Sequence, residues 1–158
     1  MLSKLYIKNL AIIQELEVEF DRAFNVFTGQ TGAGKSLIIG AVELLLGFRS
    51  PSQMIRPNAA EAILVGVFDL SDPLLQKEIA QVIDIPLEEG ELIIQRRLFA
   101  SGKTSSSVNS VPIPLPTLRQ IGELLVDIHG QHENQYLLRP AIQLRLLDSF
   151  AETEKLAA

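Results

Sequence analysis

The sequence contains no cysteine, so it has neither a disulfide framework nor a thiolate metal site. No stretch approaches the roughly 18 consecutive apolar residues that a membrane-spanning helix needs, so no membrane partner is expected. The opening MLSKLYIKNL lacks the apolar core of a secretory leader, and a cytoplasmic location is the expectation. Positive charge is in short supply: 14 Lys and Arg stand against 19 Asp and Glu, a formal net charge of −5. Binding a phosphate backbone requires clustered cations, so this balance argues against a broad nucleic-acid surface, though not against a local basic patch. There is no internal repeat. What remains is 158 residues with 47% hydrophobic and 21% charged side chains, the make-up of one globular domain with a sizeable core.

Periodicity divides the chain into short elements. Lys4–Ile7 and Ala11–Phe20 read as strands, the second because Leu16, Val18 and Phe20 alternate with Glu15, Glu17 and Glu19. Asn25–Thr28 reads as a short apolar strand running into a glycine-rich loop. Ser36–Leu46 is apolar nearly all round, which predicts a buried helix, and Gly47 is placed to end it. Arg49–Asn58 reads as a loop, broken by Pro51 and Pro57. Ala62–Leu70 reads as a strand and Asp72–Ile83 as an amphipathic helix with Ser71 as N-cap. Glu91–Phe99 and Thr104–Asn109 read as strands around a turn at Ala100–Lys103, with a second turn at Asn109-Ser110. Pro112, Pro114 and Pro116 mark a stiff connection. Leu118–Glu123 reads as helix and Leu124–Ile128 as a short buried strand. In the last segment, Ile142, Leu146, Leu147 and Phe150 fall at helical spacing within Pro140–Leu156. The order is several β-hairpins around one strand–loop–helix unit, a mixed α/β pattern.

One motif carries chemistry. Gly29-Gln30-Thr31-Gly32-Ala33-Gly34-Lys35-Ser36 fits G-x-x-x-x-G-K-[ST] at every position. Such a loop wraps a polyphosphate with backbone N–H groups, and glycines permit the close approach and the dihedrals this needs. The helix that follows points its partially positive N-terminus at the same anion. Lys35 is expected to reach the β- and γ-phosphates and the Ser36 hydroxyl to ligate Mg²⁺. These assignments make ATP with Mg²⁺ the expected cofactors. Gly102-Lys103-Thr104 resembles the end of a second such motif, but Arg97 stands where its first glycine belongs, so it reads as a hairpin turn.

Other polar residues are more ambiguous. An ATPase of this kind needs an acid at the tip of an apolar strand, and Asp127 in Leu124-Leu-Val-Asp127 is one candidate. Gln131, in the loop beyond it, is another group able to reach Mg²⁺ and an attacking water; on chemistry alone both roles stay open. His129 and His132, with Glu133 nearby, are too few for an expected zinc site. Arg96, Arg97, Arg49 and Arg56 each read as solvated charges or ion-pair members, with Arg49 of most interest because it follows the nucleotide-contacting helix.

Taken together, LYIKNLAIIQELEVEF, FNVFTGQTGAGKSLIIGAVELLLGFRS and LLVDIHGQHENQYLL resemble the N-terminal half of the RecN family, bacterial DNA repair proteins among the SMC-like (structural maintenance of chromosomes) relatives of ABC ATPases. The run Asp127–Glu133 is the most family-specific part. The resemblance implies an α/β P-loop NTPase fold: the head lobe of an ABC/SMC-type ATPase, with a mixed sheet, antiparallel hairpins and the start of a coiled-coil helix at its C-terminus. It places the lobe at 1–139 and the arm helix at 140–158. It assigns Gln131 as the Q-loop glutamine, catalytic together with Lys35 and a Mg²⁺ contact together with Ser36. Asp127 is then not the acidic motif. It puts Arg49 among the nucleotide-binding residues. The implied partners are the C-terminal half of the same head, a second head in a homodimer, DNA and recombination proteins, and the implied location is the bacterial nucleoid. Ser110 departs from the family's usual Asn-Gly and suggests a different turn geometry.

No Leu-Ser-Gly-Gly signature and no apolar run ending in Asp-Glu is present, so the chain is expected to be an incomplete ATPase, inactive alone. Two other readings remain. A self-contained small P-loop kinase or GTPase would use Asp127 as its magnesium acid, although no Asn-Lys-x-Asp motif for guanine is found. A non-catalytic docking module is the second.

Overall fold

The computed structural model describes residues 1–29, 34–48, 54–85 and 90–128. The chain divides into two units, Met1–Val126 and Asp127–Ala158, and of the second only Asp127 and Ile128 are described. The expected lobe–arm boundary at 139/140 and the arm helix therefore lie outside the described residues.

The first unit is a six-stranded sheet in the order β2-β1-β3-β4-β5-β6. Its strands are β1 (Leu2–Leu10), β2 (Ile13–Glu19), β3 (Glu61–Asp69), β4 (Glu91–Phe99), β5 (Thr104–Val108) and β6 (Val111–Pro112). Each of the five pairings is antiparallel. The helices are α1 (Lys35–Leu45), α2 (Pro73–Val82) and α3 (Leu115–Leu125).

Alternation decides which face is core. Leu5 and Ile7 of β1, Leu64 and Phe68 of β3, and Leu92, Ile94 and Leu98 of β4 are all buried. They share one face, since Leu5 pairs with Gly66, Ile7 with Leu64, and Gly66 with Ile94. Leu16 and Val18 continue that face onto β2 opposite Ile7 and Leu5. The glutamates between them look outward, where Lys4 Nζ meets Glu17 at 2.7 Å and the Tyr6 hydroxyl donates to Glu15 at 2.8 Å.

α1 packs on β3 and β4 through Gly40, Ala41, Leu44 and Leu45. A Cβ on Gly66 would lie 2.5 Å from Leu45 Cδ2 and 3.1 Å from the Phe68 ring. This glycine in the middle of a strand is thus the space into which α1 settles. α2 and α3 pack on each other, burying Ile79 from one and Leu118 and Ile121 from the other.

Several boundaries differ from those read in the sequence. Ala11 and Ile12 belong to a turn rather than to the second strand, and Ile12 is exposed. Asp72, not Ser71, caps α2: its side chain accepts from Leu74 N–H at 2.9 Å, and Pro73 occupies the first helical position. Ser71 sits one residue too early and instead gives its N–H to Asp69. α3 begins within the proline run, with Pro114 as its cap residue, because the first turn of a helix needs no N–H from proline. The strand expected at Leu124–Ile128 is absent. Leu124 and Leu125 finish α3, and Val126 is its extended cap residue. The strand expected at Asn25–Thr28 also makes no pairing among the described residues. At the β5–β6 turn, Asn109 and Ser110 both take positive φ, 45° and 69°. Serine therefore keeps the geometry that asparagine–glycine would adopt, correcting the expectation of a different turn.

Two stability changes are expected, both readable by denaturant unfolding. Ser110→Gly removes the Cβ penalty of a left-handed residue and should stabilise by roughly 0.5–1 kcal/mol after the entropic cost of glycine. Gly66→Ala drives a methyl group into the fully buried Leu45 and should destabilise by about 1–3 kcal/mol.

Candidate functional site

The site is built at the N-terminus of α1. Gly34 is the cap residue, with φ 92° and ψ −4°. That is left-handed backbone, and a Cβ there would meet nothing among the described residues within 4 Å. Glycine is needed at this position for its dihedrals. The cap makes no side-chain hydrogen bond, and the first turn holds no acidic residue. The first-turn N–H groups are thus claimed by no side chain of the cap, and no carboxylate there competes for the positive end of the helix. The Gly34 carbonyl accepts from Leu37 and Ile38 N–H at 3.0 and 3.1 Å, which locks the first turn.

Lys35 is the first helical residue and Ser36 the second, exposed one. The Lys35 ammonium folds back and donates to the Gly29 carbonyl. The two ends of the motif are thereby joined across the loop by its own lysine. Gln30, Thr31, Gly32, Ala33 and Arg49 lie outside the described residues, as do His129, Gln131, His132 and Glu133. Among the described residues no group of three or more His, Cys, Asp or Glu could hold a metal ion, and no helix is long and apolar enough to cross a membrane.

The segment leading into the loop is exposed and apolar. Phe24 is 83%, Val26 63% and Phe27 45% accessible, and Ile39 on α1 is 54% accessible. Phe20 and Phe27 meet edge to face at 6.0 Å.

The reading of the arginines as solvated charges or ion-pair members holds for Arg97 and fails for Arg96. Arg97 does make an ion pair: two of its nitrogens donate to Glu61 at 2.7–2.9 Å, and its guanidinium lies over the Phe99 ring. Arg56 donates to the Ile12 carbonyl at 2.7 Å and ties the 54–56 segment to the β1–β2 turn. Arg96, by contrast, is 1% exposed on the core face of β4 and donates to the Leu44 carbonyl at the end of α1. The signal was available, because in ELIIQRRLF the period of two sets Arg96 in line with Leu92, Ile94 and Leu98. Arg119, given no role in the sequence reading, donates to the Gly47 carbonyl at 2.7 Å.

A G-x-x-x-x-G-K-S motif ending in the first turn of a helix that packs on a sheet points to the P-loop class, and the chain belongs to the AAA domain family, whose model matches residues 4–157. It is similar to the DNA repair protein RecN of Bacillus subtilis (strain 168), with 47% identity over 157 residues, covering 98% of this chain and 27% of that protein. The resemblance read from the sequence is borne out. The chain spans little more than a quarter of the length of such relatives. Among solved structures, one from work on ATP-driven dimerization and DNA-stimulated activation of SMC ATPases matches with TM-score 0.68 at 21% identity, over 94% of this chain and 98% of the other. An Smc head domain from Pyrococcus furiosus, with an extended coiled coil and bound to the C-terminal domain of ScpA, matches with TM-score 0.67 at 21% identity, over 88% and 38%. The fold is that of a P-loop ATPase, the SMC-type head lobe.

Gly34→Ala should lower stability by about 1–2 kcal/mol in denaturant unfolding, since any Cβ must enter the left-handed region.

Proposed function

We propose that this chain is the ATP-binding part of an SMC-like ATPase head that acts in recombinational repair of DNA double-strand breaks. The observation that carries the reading is the open N-terminus of α1, with left-handed Gly34 at its cap and Lys35 beside it. Its N–H groups and ammonium fit a polyphosphate. The similarity to RecN supplies the DNA repair context.

Phosphate binding would replace the neutral Gly29 carbonyl as the acceptor for Lys35 with anionic oxygens, a stronger charge-assisted bond. The residues from Gly29 to Ser36 cradle the β- and γ-phosphates, with Arg49 as a further nucleotide contact. Ser36 and Gln131 are the groups that would hold Mg²⁺, which when bound offsets phosphate charge. Gln131 would also orient the attacking water.

Turnover needs more than these residues. The exposed Phe24, Val26 and Phe27 beside the loop supply an apolar edge suited to the C-terminal half of the same head. A second head, DNA and recombination proteins complete the expected set of partners, in the cytoplasm at the nucleoid. The small-kinase alternative is not favoured, because Asp127 follows a helix end and not a strand.

The test is ATP hydrolysis by this chain alone and with the C-terminal half added. Inactivity alone, activity in the mixture and loss of that activity in Lys35→Ala are the expected results. Ordinary turnover by the chain alone would refute the split-head reading.

A further inference from the structure

The far end of α1 is held as firmly as its phosphate end is open. α1 stops in a Schellman arrangement: Phe48 N–H reaches the Glu43 carbonyl at 2.9 Å, Gly47 N–H reaches Leu44 at 3.1 Å, and Gly47 has φ 80°. α1 has no basic residue of its own in its last turn. Two guanidiniums from other elements serve that end instead. Arg96 of β4 donates to Leu44 O, and Arg119 of α3 donates to Gly47 O at 2.7 Å. Contact with α3 is close on both sides. A Cβ on Gly47 would lie 2.8 Å from Leu115 Cδ1, and one on Gly122 would lie 3.0 Å from Leu46 Cβ.

Arg96 is costly where it stands. It faces Leu64 and Ser106 across the sheet, and its Nε has no hydrogen-bond partner among the described residues. Burial, and then the Arg119 charge, pull its pKa below the ordinary value. An apolar side chain would fill this row without leaving a buried donor unmet. What arginine adds is a charged bond to the negative end of α1.

We propose that Arg96 and Arg119 are positioning residues for nucleotide: together they fix the axial position of α1, and so of Gly34, Lys35 and Ser36 at its other end. The inference rests on the reading that this end binds ATP. α1 is a rod of 11 residues, roughly 16 Å long at 1.5 Å per residue. A slip at Leu44 and Gly47 therefore moves the phosphate-facing N–H groups by the same amount. Those groups hold ground state and transition state alike, so a slip weakens binding more than it slows the chemical step.

The experiment uses the full-length protein. Arg119→Met, Arg96→Met, the double variant and Arg119→Lys are compared with wild type for ATP Kd, for KM against kcat, and for melting temperature. Arg119 lies at the surface, so its replacement leaves the core intact even if Arg96→Met folds poorly. Each methionine variant is expected to raise Kd and KM about tenfold with kcat within about twofold, a loss equivalent to ~1.4 kcal/mol. The double variant should lose less than the product of the two, because both bonds hold one helix end. Arg119→Lys, which keeps a donor, should recover most of the affinity. A merely structural role would lower melting temperature and active fraction and leave KM alone. If wild type binds ATP and Arg119→Met binds it equally well, this inference is overturned. If wild type with an intact Lys35 binds no better than Lys35→Ala, the ATP reading itself fails.

Discussion

The seating of α1 on the sheet is the constraint from which the rest of the lobe follows. A helix can present its N-terminal amides to a phosphate only if its axis is fixed, and backbone amides cannot be re-aimed by a rotamer change. Gly66 lets Leu45 sink into the middle of β3. Leu44 and Ala41 then bury against the same face. α3 covers the C-terminal end of α1, while Ile39 on another side of the helix stays accessible. A single strand position without a Cβ thus governs where the N-terminal end of α1 comes to rest.

Much of this was legible in the chain. The alternation in β2, the termini of β4 and the glycine-punctuated start and stop of α1 all rest on local periodicity and on backbone dihedrals open to few residues. The phosphate-loop motif can be read in a sequence for the same reason, since its chemistry is backbone chemistry written in glycines; of its residues only Gly29, Gly34, Lys35 and Ser36 are among those described. Elements whose identity depends on distant partners were harder to read. Asn25–Thr28 has strand composition but no strand beside it among the described residues. Leu124 and Leu125 are equally apolar in a buried strand or at a helix end, and the preceding periodicity of α3 decided for helix. The cap of α2 went to Asp72 over Ser71 because proline fixes the residue after Asp72 as the first helical one.

Arg96 shows where a reading by residue type misleads. Arginine is seldom buried, so a pair of adjacent arginines reads as solvent-facing. In a strand, neighbours point to opposite faces, and one of any such pair must turn inward. Arg97 took the outer place and found Glu61. Arg96 took the inner one, where the carbonyls ending a helix stood in for a carboxylate. Composition could not show this, since the acceptor is a helix terminus some 50 residues earlier in the chain.

The strand order also bears on how the lobe tolerates changes in length. β1 lies between β2 and β3, so the chain leaves the β1–β2 hairpin at its β2 edge and returns as β3 on the opposite edge, beside β1, with α1 in between. Ring closure of a flexible chain costs only about 0.6 kcal/mol more for each doubling of its length. Residues added to the connection after α1 would therefore tax the sheet little.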